Sequence, residues 1–135
     1  MNVLLVFSAA VRALAGAGRL AALSLVMAAG LAFAGCHSYH VDATVENQTG
    51  AAIQLLEIDY PTASFGTDKL AAGELYRYRF QLRGSGAVRV QYTGGNGRMI
   101  SAEGPTLSER QEGSLRIVLL PAGKIEFHPQ ITPAQ

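Results

Sequence analysis

From Val41 to His128 apolar and polar residues alternate with period two, in short runs broken by glycine- and proline-bearing turns. This alternation restricts the fold more than any other feature. Tyr76, Tyr78, Phe80 and Leu82 alternate with Arg77, Arg79 and Gln81. A helix would scatter those apolar side chains around its circumference, whereas a strand places all four on one face. The same pattern recurs in Val41–Glu46, Ile53–Tyr60, Val88–Tyr92, Arg98–Ala102, Leu115–Leu120 and Lys124–His128. The intervening segments are rich in turn-forming residues: Asn47–Gly50, Ala71–Glu74, Arg83–Gly86, Thr93–Gly97, Gly104–Gly113 and Pro121–Gly123. Ser64–Gly66 is at most a short extension after the Pro61 break. The expectation is an all-β, seven-stranded antiparallel β-sandwich of immunoglobulin-like or Greek-key type, with a small barrel as the alternative. The expected core is Val45, Ile53, Leu56, Ile58, Tyr78, Phe80, Val88, Val90, Leu115, Ile117 and Phe127.

The remaining N-terminal third has a different composition. Residues 1–35 hold 26 hydrophobic residues, no acid, and two of the eleven basic residues, Arg12 and Arg19. Nine basic against ten acidic residues remain, so residues 36–135 carry a formal charge of −1. That balance argues against a nucleic-acid binder, and the length argues against a multidomain enzyme. The 15-residue apolar stretch Leu20–Ala34 is shorter than the roughly 20 residues that span a bilayer and follows an arginine-bearing segment, as in an export signal helix. Val11 begins a more typical signal start than Met1 does.

Leu31-Ala32-Phe33-Ala34-Gly35-Cys36 resembles the lipobox of bacterial lipoproteins, with Phe33 departing from the usual Leu. The resemblance implies cleavage before Cys36, the only cysteine, and acylation of that residue. The expected organisation is a signal peptide over 1–35, a lipidated cysteine and short linker over 36–40, a β-sandwich over 41–128 and a flexible tail over 129–135. His37 rather than Asp after the cysteine is similar to the default outer-membrane sorting signal, which implies a lipid-anchored envelope protein facing the periplasm. The partner so implied is the membrane itself, through acyl chains on Cys36. Two or more such chains anchor stably, at about 0.8 kcal/mol per buried methylene. Four residues separate Cys36 from Val41 and reach no more than about 14 Å. Further on, Glu46–Gly50, Asp59–Gly66, Gly73 and Tyr76–Phe80 resemble segments of small uncharacterised bacterial lipoproteins, a likeness that carries fold and location but no activity.

Few residues suggest chemistry. His37 and His40 have a spacing that could chelate a metal, but they lie in the linker, and neither a metal nor a cofactor is expected. Glu57 and Asp59 share a strand face, where pairing with Arg77, Arg79 and Arg89 across strands explains them better than acid–base catalysis. The glycine clusters 84–86 and 94–97 lie between strands, whereas phosphate cradles open helices. Asn47-Gln48-Thr49 matches a glycosylation sequon but reads more simply as a turn. Tyr60, Phe65, Tyr76 and Tyr92 read first as core residues; two or more of them exposed together would instead mark a binding surface. Tyr60 together with Pro61, Ser64, Phe65 and Asp68 of the Pro61–Asp68 loop forms the candidate partner surface. The expected function is a non-enzymatic interaction or assembly module for an envelope protein. The alternative is a small-molecule, glycan or lipid binding module with a tyrosine-lined pocket.

Overall fold

The computed structural model describes residues 37–133. The segment expected to be a signal peptide, Cys36 and the last two residues lie outside the described residues. Among the described residues eight strands form: β1 (Val41–Asn47), β2 (Ile53–Tyr60), β3 (Ala63–Leu70), β4 (Leu75–Phe80), β5 (Gly86–Thr93), β6 (Met99–Leu107), β7 (Gly113–Leu119) and β8 (Ile125–Ile131). They build two four-stranded sheets, ordered β4-β1-β7-β8 and β3-β2-β5-β6.

Two expectations are corrected here. The strands number eight rather than seven, because Ala63–Leu70 is a full strand paired to β2 from Tyr60↔Ala63 to Ile53↔Leu70. The sandwich is also not wholly antiparallel, since β1 runs parallel to β7, with Val41 opposite Gly113 and Asn47 opposite Leu119. Two strands run further than expected, β6 to Leu107 and β8 to Ile131. Pro105 and Pro129 are tolerated because both lie on edge strands, where one row of backbone groups needs no partner.

The pairings fix the direction of every strand. Ser38–His40, the β2–β3 hairpin, residues 81–85 and residues 108–112 share one end of the sandwich, here the near end. The β1–β2, β3–β4, β5–β6 and β7–β8 turns share the far end. The near end is tied by Gln81 Nε2 donating to Ser38 Oγ, 2.5 Å, and the Gly113 amide donating to the His40 carbonyl, 3.2 Å.

The core lies between the sheets. Val45, Ile53, Leu56, Ile58, Phe80, Val88, Val90, Leu115 and Ile117 are buried in it, as the alternation implies. Phe65, Leu70, Tyr92, Leu107 and Leu119 join them. Tyr78 does not, being 41% exposed, and Phe127 is only half-buried. Both face inward but sit on edge strands, where the opposite sheet covers them from one side only. Phe127 closes one open side of the sandwich by lying over Gly104 of β6, where a Cβ would come within 2.5 Å of its ring. The other side is closed by aromatic rings from β2, β3 and β4.

The charged faces also differ from expectation. β4 and the pair β2/β5 belong to different sheets, so Arg77 and Arg79 cannot meet Glu57 and Asp59 across neighbouring strands. Arg79 instead grips Asp42 in a fork, Nε–Oδ1 2.7 Å and Nη2–Oδ2 3.1 Å. Glu57 accepts from Gln91 Nε2 at 2.6 Å, and Arg89 lies 3.7 Å from Glu103.

Candidate binding cleft

The residues singled out as a partner surface do not form one exposed patch. Pro61 and Thr62 make the tight turn of the β2–β3 hairpin, and the rest of the segment is strand. Phe65 is buried, at 7% exposure. Its ring stacks on Tyr78 with centroids 4.4 Å apart and planes 14° apart, and it also contacts Phe80 at 5.5 Å. Tyr60 is half-buried against Phe80, 4.4 Å between centroids. Burial, and next the nearby Tyr78 hydroxyl, raise the Tyr60 pKa above its ordinary value. Tyr76 reaches across the same edge, its hydroxyl donating to the Gly66 carbonyl at 2.9 Å. Ser64 and Asp68 remain exposed on β3. The aromatics that could have anchored a partner hold the two sheets together instead.

Asn47 likewise has a structural role. It is fully buried at the end of β1. Its side-chain amide donates to the carbonyls of Ala51, Leu70 and Ala71 at 2.8, 3.0 and 3.1 Å. Its oxygen accepts from the Thr49 amide and hydroxyl at 3.1 and 2.7 Å. The sequon asparagine therefore joins the β1–β2 turn to the β3–β4 turn and is not open to modification in the folded domain.

The far end holds a cleft of about 700 Å³, within the usual range for small-ligand sites. Three turns make it. The β1–β2 turn supplies Thr49 and Ala51, the β5–β6 hairpin supplies residues 94–96 and 98–100, and residues 120–123 supply the third wall. The hairpin is closed by the Gly94 amide donating to the Arg98 carbonyl at 2.9 Å, and the Asn96 side chain accepts from the Arg98 amide at 3.0 Å. Gly95 lies against Ala51, and Ile100 lies against Gly123. Ala122 occupies left-handed backbone, φ 60°, unusual for a residue with a Cβ, and this bends residues 121–123 into a tight turn.

The cleft walls are mostly apolar, with Ile100, Met99, Leu120 and Pro121 prominent. Met99 is 75% exposed at the rim. Arg98 is the one charged residue in the lining among the described residues. Tyr92 also lines the cleft and is 2% exposed. Its hydroxyl is the one buried side-chain polar atom with no hydrogen-bond partner among the described residues. Burial raises its pKa above the ordinary value, so the hydroxyl keeps its proton at neutral pH. The sequence signals only fragments of this site: Gly94–Gly97 and Pro121–Gly123 read as turns and Tyr92 as one of several aromatics. Only the folding of both sheets brings them together.

No protein-family model matches the chain, and no curated protein matches it. Among solved structures, an NMR structure of a protein from Eubacterium rectale is similar in fold, with a TM-score of 0.54 at 10% sequence identity, covering 72% of this chain and 94% of that chain. At that identity the likeness establishes a shared β-rich architecture and nothing about activity.

Proposed function

We propose that the chain is a lipid-anchored protein of the cell envelope, held at the outer membrane on the periplasmic side by acyl chains on Cys36, and that it works as a non-enzymatic interaction module. The lipobox-like sequence before Cys36 supports the anchor. The observation that carries the reading is the polarity of the domain. The Ser38–His40 segment enters at the near end, while all four far-end turns and the cleft lie at the other end of β1. Seven strand residues separate the two ends by about 23 Å. A domain tethered through a linker of at most about 14 Å would present that far end away from the bilayer. The working surface is accordingly assigned to the far end rather than to the Pro61–Asp68 hairpin, whose Phe65 is buried between the sheets. We read the two-sheet arrangement as an immunoglobulin-like variant in which β1 pairs in parallel with β7.

Cys36→Ser tests the anchor. Wild-type cells fed labelled palmitate should label the protein and carry it in the membrane fraction, and the variant should do neither. A variant that stays membrane-bound, with no label on wild type, rejects the lipoprotein assignment. A second reading, a module for a small ligand rather than an envelope protein, is favoured by the cleft itself.

A further inference from the structure

We infer that the free edge of β4 is a docking site for an extended acidic segment of a partner protein, which adds to the β4-β1-β7-β8 sheet as an antiparallel strand with a carboxylate opposite Arg77. The site runs along the side of the sandwich, apart from the far-end cleft, and goes beyond the function proposed above. The backbone supplies the first half of the argument. The Asn47 amide donates to the Glu74 carbonyl at 3.1 Å, so that pair is hydrogen-bonded across β1 and the start of β4. Hydrogen-bonded and non-hydrogen-bonded pairs alternate along an antiparallel ladder. Glu46↔Leu75, Thr44↔Arg77 and Asp42↔Arg79 therefore fall in the second class, and Leu75, Arg77 and Arg79 turn their N–H and C=O groups away from β1. Among the described residues no strand pairs with that side of β4. The other edges are blunted. β6 and β8 carry Pro105 and Pro129, which lack a donor, and on β3 the Gly66 carbonyl already accepts from the Tyr76 hydroxyl at 2.9 Å. β4 has neither proline nor glycine, and its Leu75, Arg77, Tyr78 and Arg79 are exposed.

The side chains say what kind of strand fits. On the outer face β1, β4 and β7 carry three arginines, Arg77, Arg79 and Arg116, against two acids, Asp42 and Glu46. Asp42 is held by Arg79 at 2.7 Å and Glu46 by Arg116 at 2.6 Å. Arg77 is left without an ion pair or hydrogen bond among the described residues. A second copy is a poor occupant: in the antiparallel register that uses Leu75, Arg77 and Arg79 of both chains, Arg77 would face Arg77, and like charges directly opposite are destabilising. A carboxylate there completes the pair instead, so the charge that keeps off a second copy selects an acidic strand. On the inward side, apolar residues of the added strand would cover the exposed part of the Tyr78 ring. The partner segment therefore alternates acid and apolar residues, with main-chain bonds giving affinity and the alternate side chains giving specificity.

The full-length gene is expressed in a bacterial host and the protein is placed in phosphatidylcholine nanodiscs, with empty nanodiscs as the blank. Binding is read as the fluorescence anisotropy of a short labelled peptide of alternating glutamate and valine, its valine amides methylated so that peptides cannot stack into sheets. In antiparallel addition the glutamates opposite Leu75, Arg77 and Arg79 turn their amides toward β4, and the valines turn theirs away. The expected result is saturable binding that weakens with salt, is lost when the glutamate amides are methylated instead, and is absent when lysine replaces glutamate. Arg77→Glu should weaken the glutamate peptide about tenfold, the scale of an exposed ion pair turned into a repulsion, and should admit the lysine peptide. The milder Arg77→Gln should weaken the glutamate peptide without lowering the melting temperature, since Arg77 has no ion pair to lose. Arg98→Gln, at the far-end cleft, should bind as wild type. Equal binding of the glutamate and lysine peptides, no binding of either, indifference to which amides are methylated, an Arg77→Glu variant that binds as wild type, or loss of binding in Arg98→Gln overturns the inference. Wild-type chains that pair through β4 in detergent would make a second copy the occupant and overturn it as well. Palmitate labelling of Cys36 reads the anchor alone, so the edge site can fail while the lipoprotein reading stands, and the reverse.

Discussion

Asn47 shows how one buried polar residue can organise one end of a small domain. Its amide and carbonyl oxygen together make five hydrogen bonds to the two neighbouring turns. Asn47→Asp keeps the shape and replaces the donor with an oxygen facing three carbonyls. The expected cost at pH 7 is at least about 2–3 kcal/mol, from lost bonds and a poorly placed buried charge. Burial raises the pKa of the introduced carboxyl, so the folded variant takes up a proton more readily than the unfolded one. The deficit relative to wild type should therefore shrink between pH 7 and pH 5 in urea unfolding. A deficit that is flat over that range would show that the carboxylate is solvated there. The sequence marks Asn47 as a turn residue, but which carbonyls it serves depends on Leu70 and Ala71, more than twenty positions away.

The β3 and β4 strands form one open side of the sandwich, and their exposure pattern reflects it. β4 shows a clear alternation, and its register against β1 places Tyr76, Tyr78 and Phe80 opposite Val45, Ala43 and Val41 on the inward face. Being an edge strand, β4 leaves Tyr78 partly open, and Phe65 of β3, the facing edge strand of the other sheet, stacks on one side of its ring. Phe65→Ala should cost about 3–5 kcal/mol, as for other buried Phe truncations, measurable as a lower urea midpoint. A loss below about 1 kcal/mol would mean the stack does not close the sheets. Opposite Glu57, Gly66 lies so near β2 that an added Cβ would fall 1.9 Å from the Leu56 carbonyl oxygen. Backbone cannot yield as a side-chain end can, so Gly66→Ala should destabilise beyond the about 1–3 kcal/mol of ordinary overpacking, measurable as a lower urea midpoint. The Leu56 contact explains why the 61–68 segment is poorly legible as strand: small and polar residues at an edge weaken the alternation on which strand recognition depends.

For the domain as a whole, the outer face of the β4-β1-β7-β8 sheet is a charged lattice. Asp42 is held below its ordinary pKa of 3.8, chiefly by the Arg79 hydrogen bond. Glu46 is held below 4.5 first by Gln48 and then by Arg116, and Glu126 below 4.5 by Lys124. A carboxyl whose pKa is lower folded than unfolded binds protons more readily when unfolded. Its contribution is complete above the unfolded value and lost as pH falls through the folded one. Melting temperature should therefore stay level from pH 7 to about pH 5 and decline below about 4.5. Because these pairs are exposed, the decline should be small and shallower in high salt. A steep loss already at pH 6 would point to a buried titrating group instead. The sequence by itself determined that the segment after residue 40 is β-structured, where most strands run and which residues of the central strands face inward. Those follow from period-two burial, a local property that each strand carries alone. The extra edge strand, the parallel β1–β7 pair, the enclosure of Phe65 and the cleft were decided only by the tertiary structure. Each depends on which distant strands become neighbours, and the alternation of one strand does not encode its neighbour.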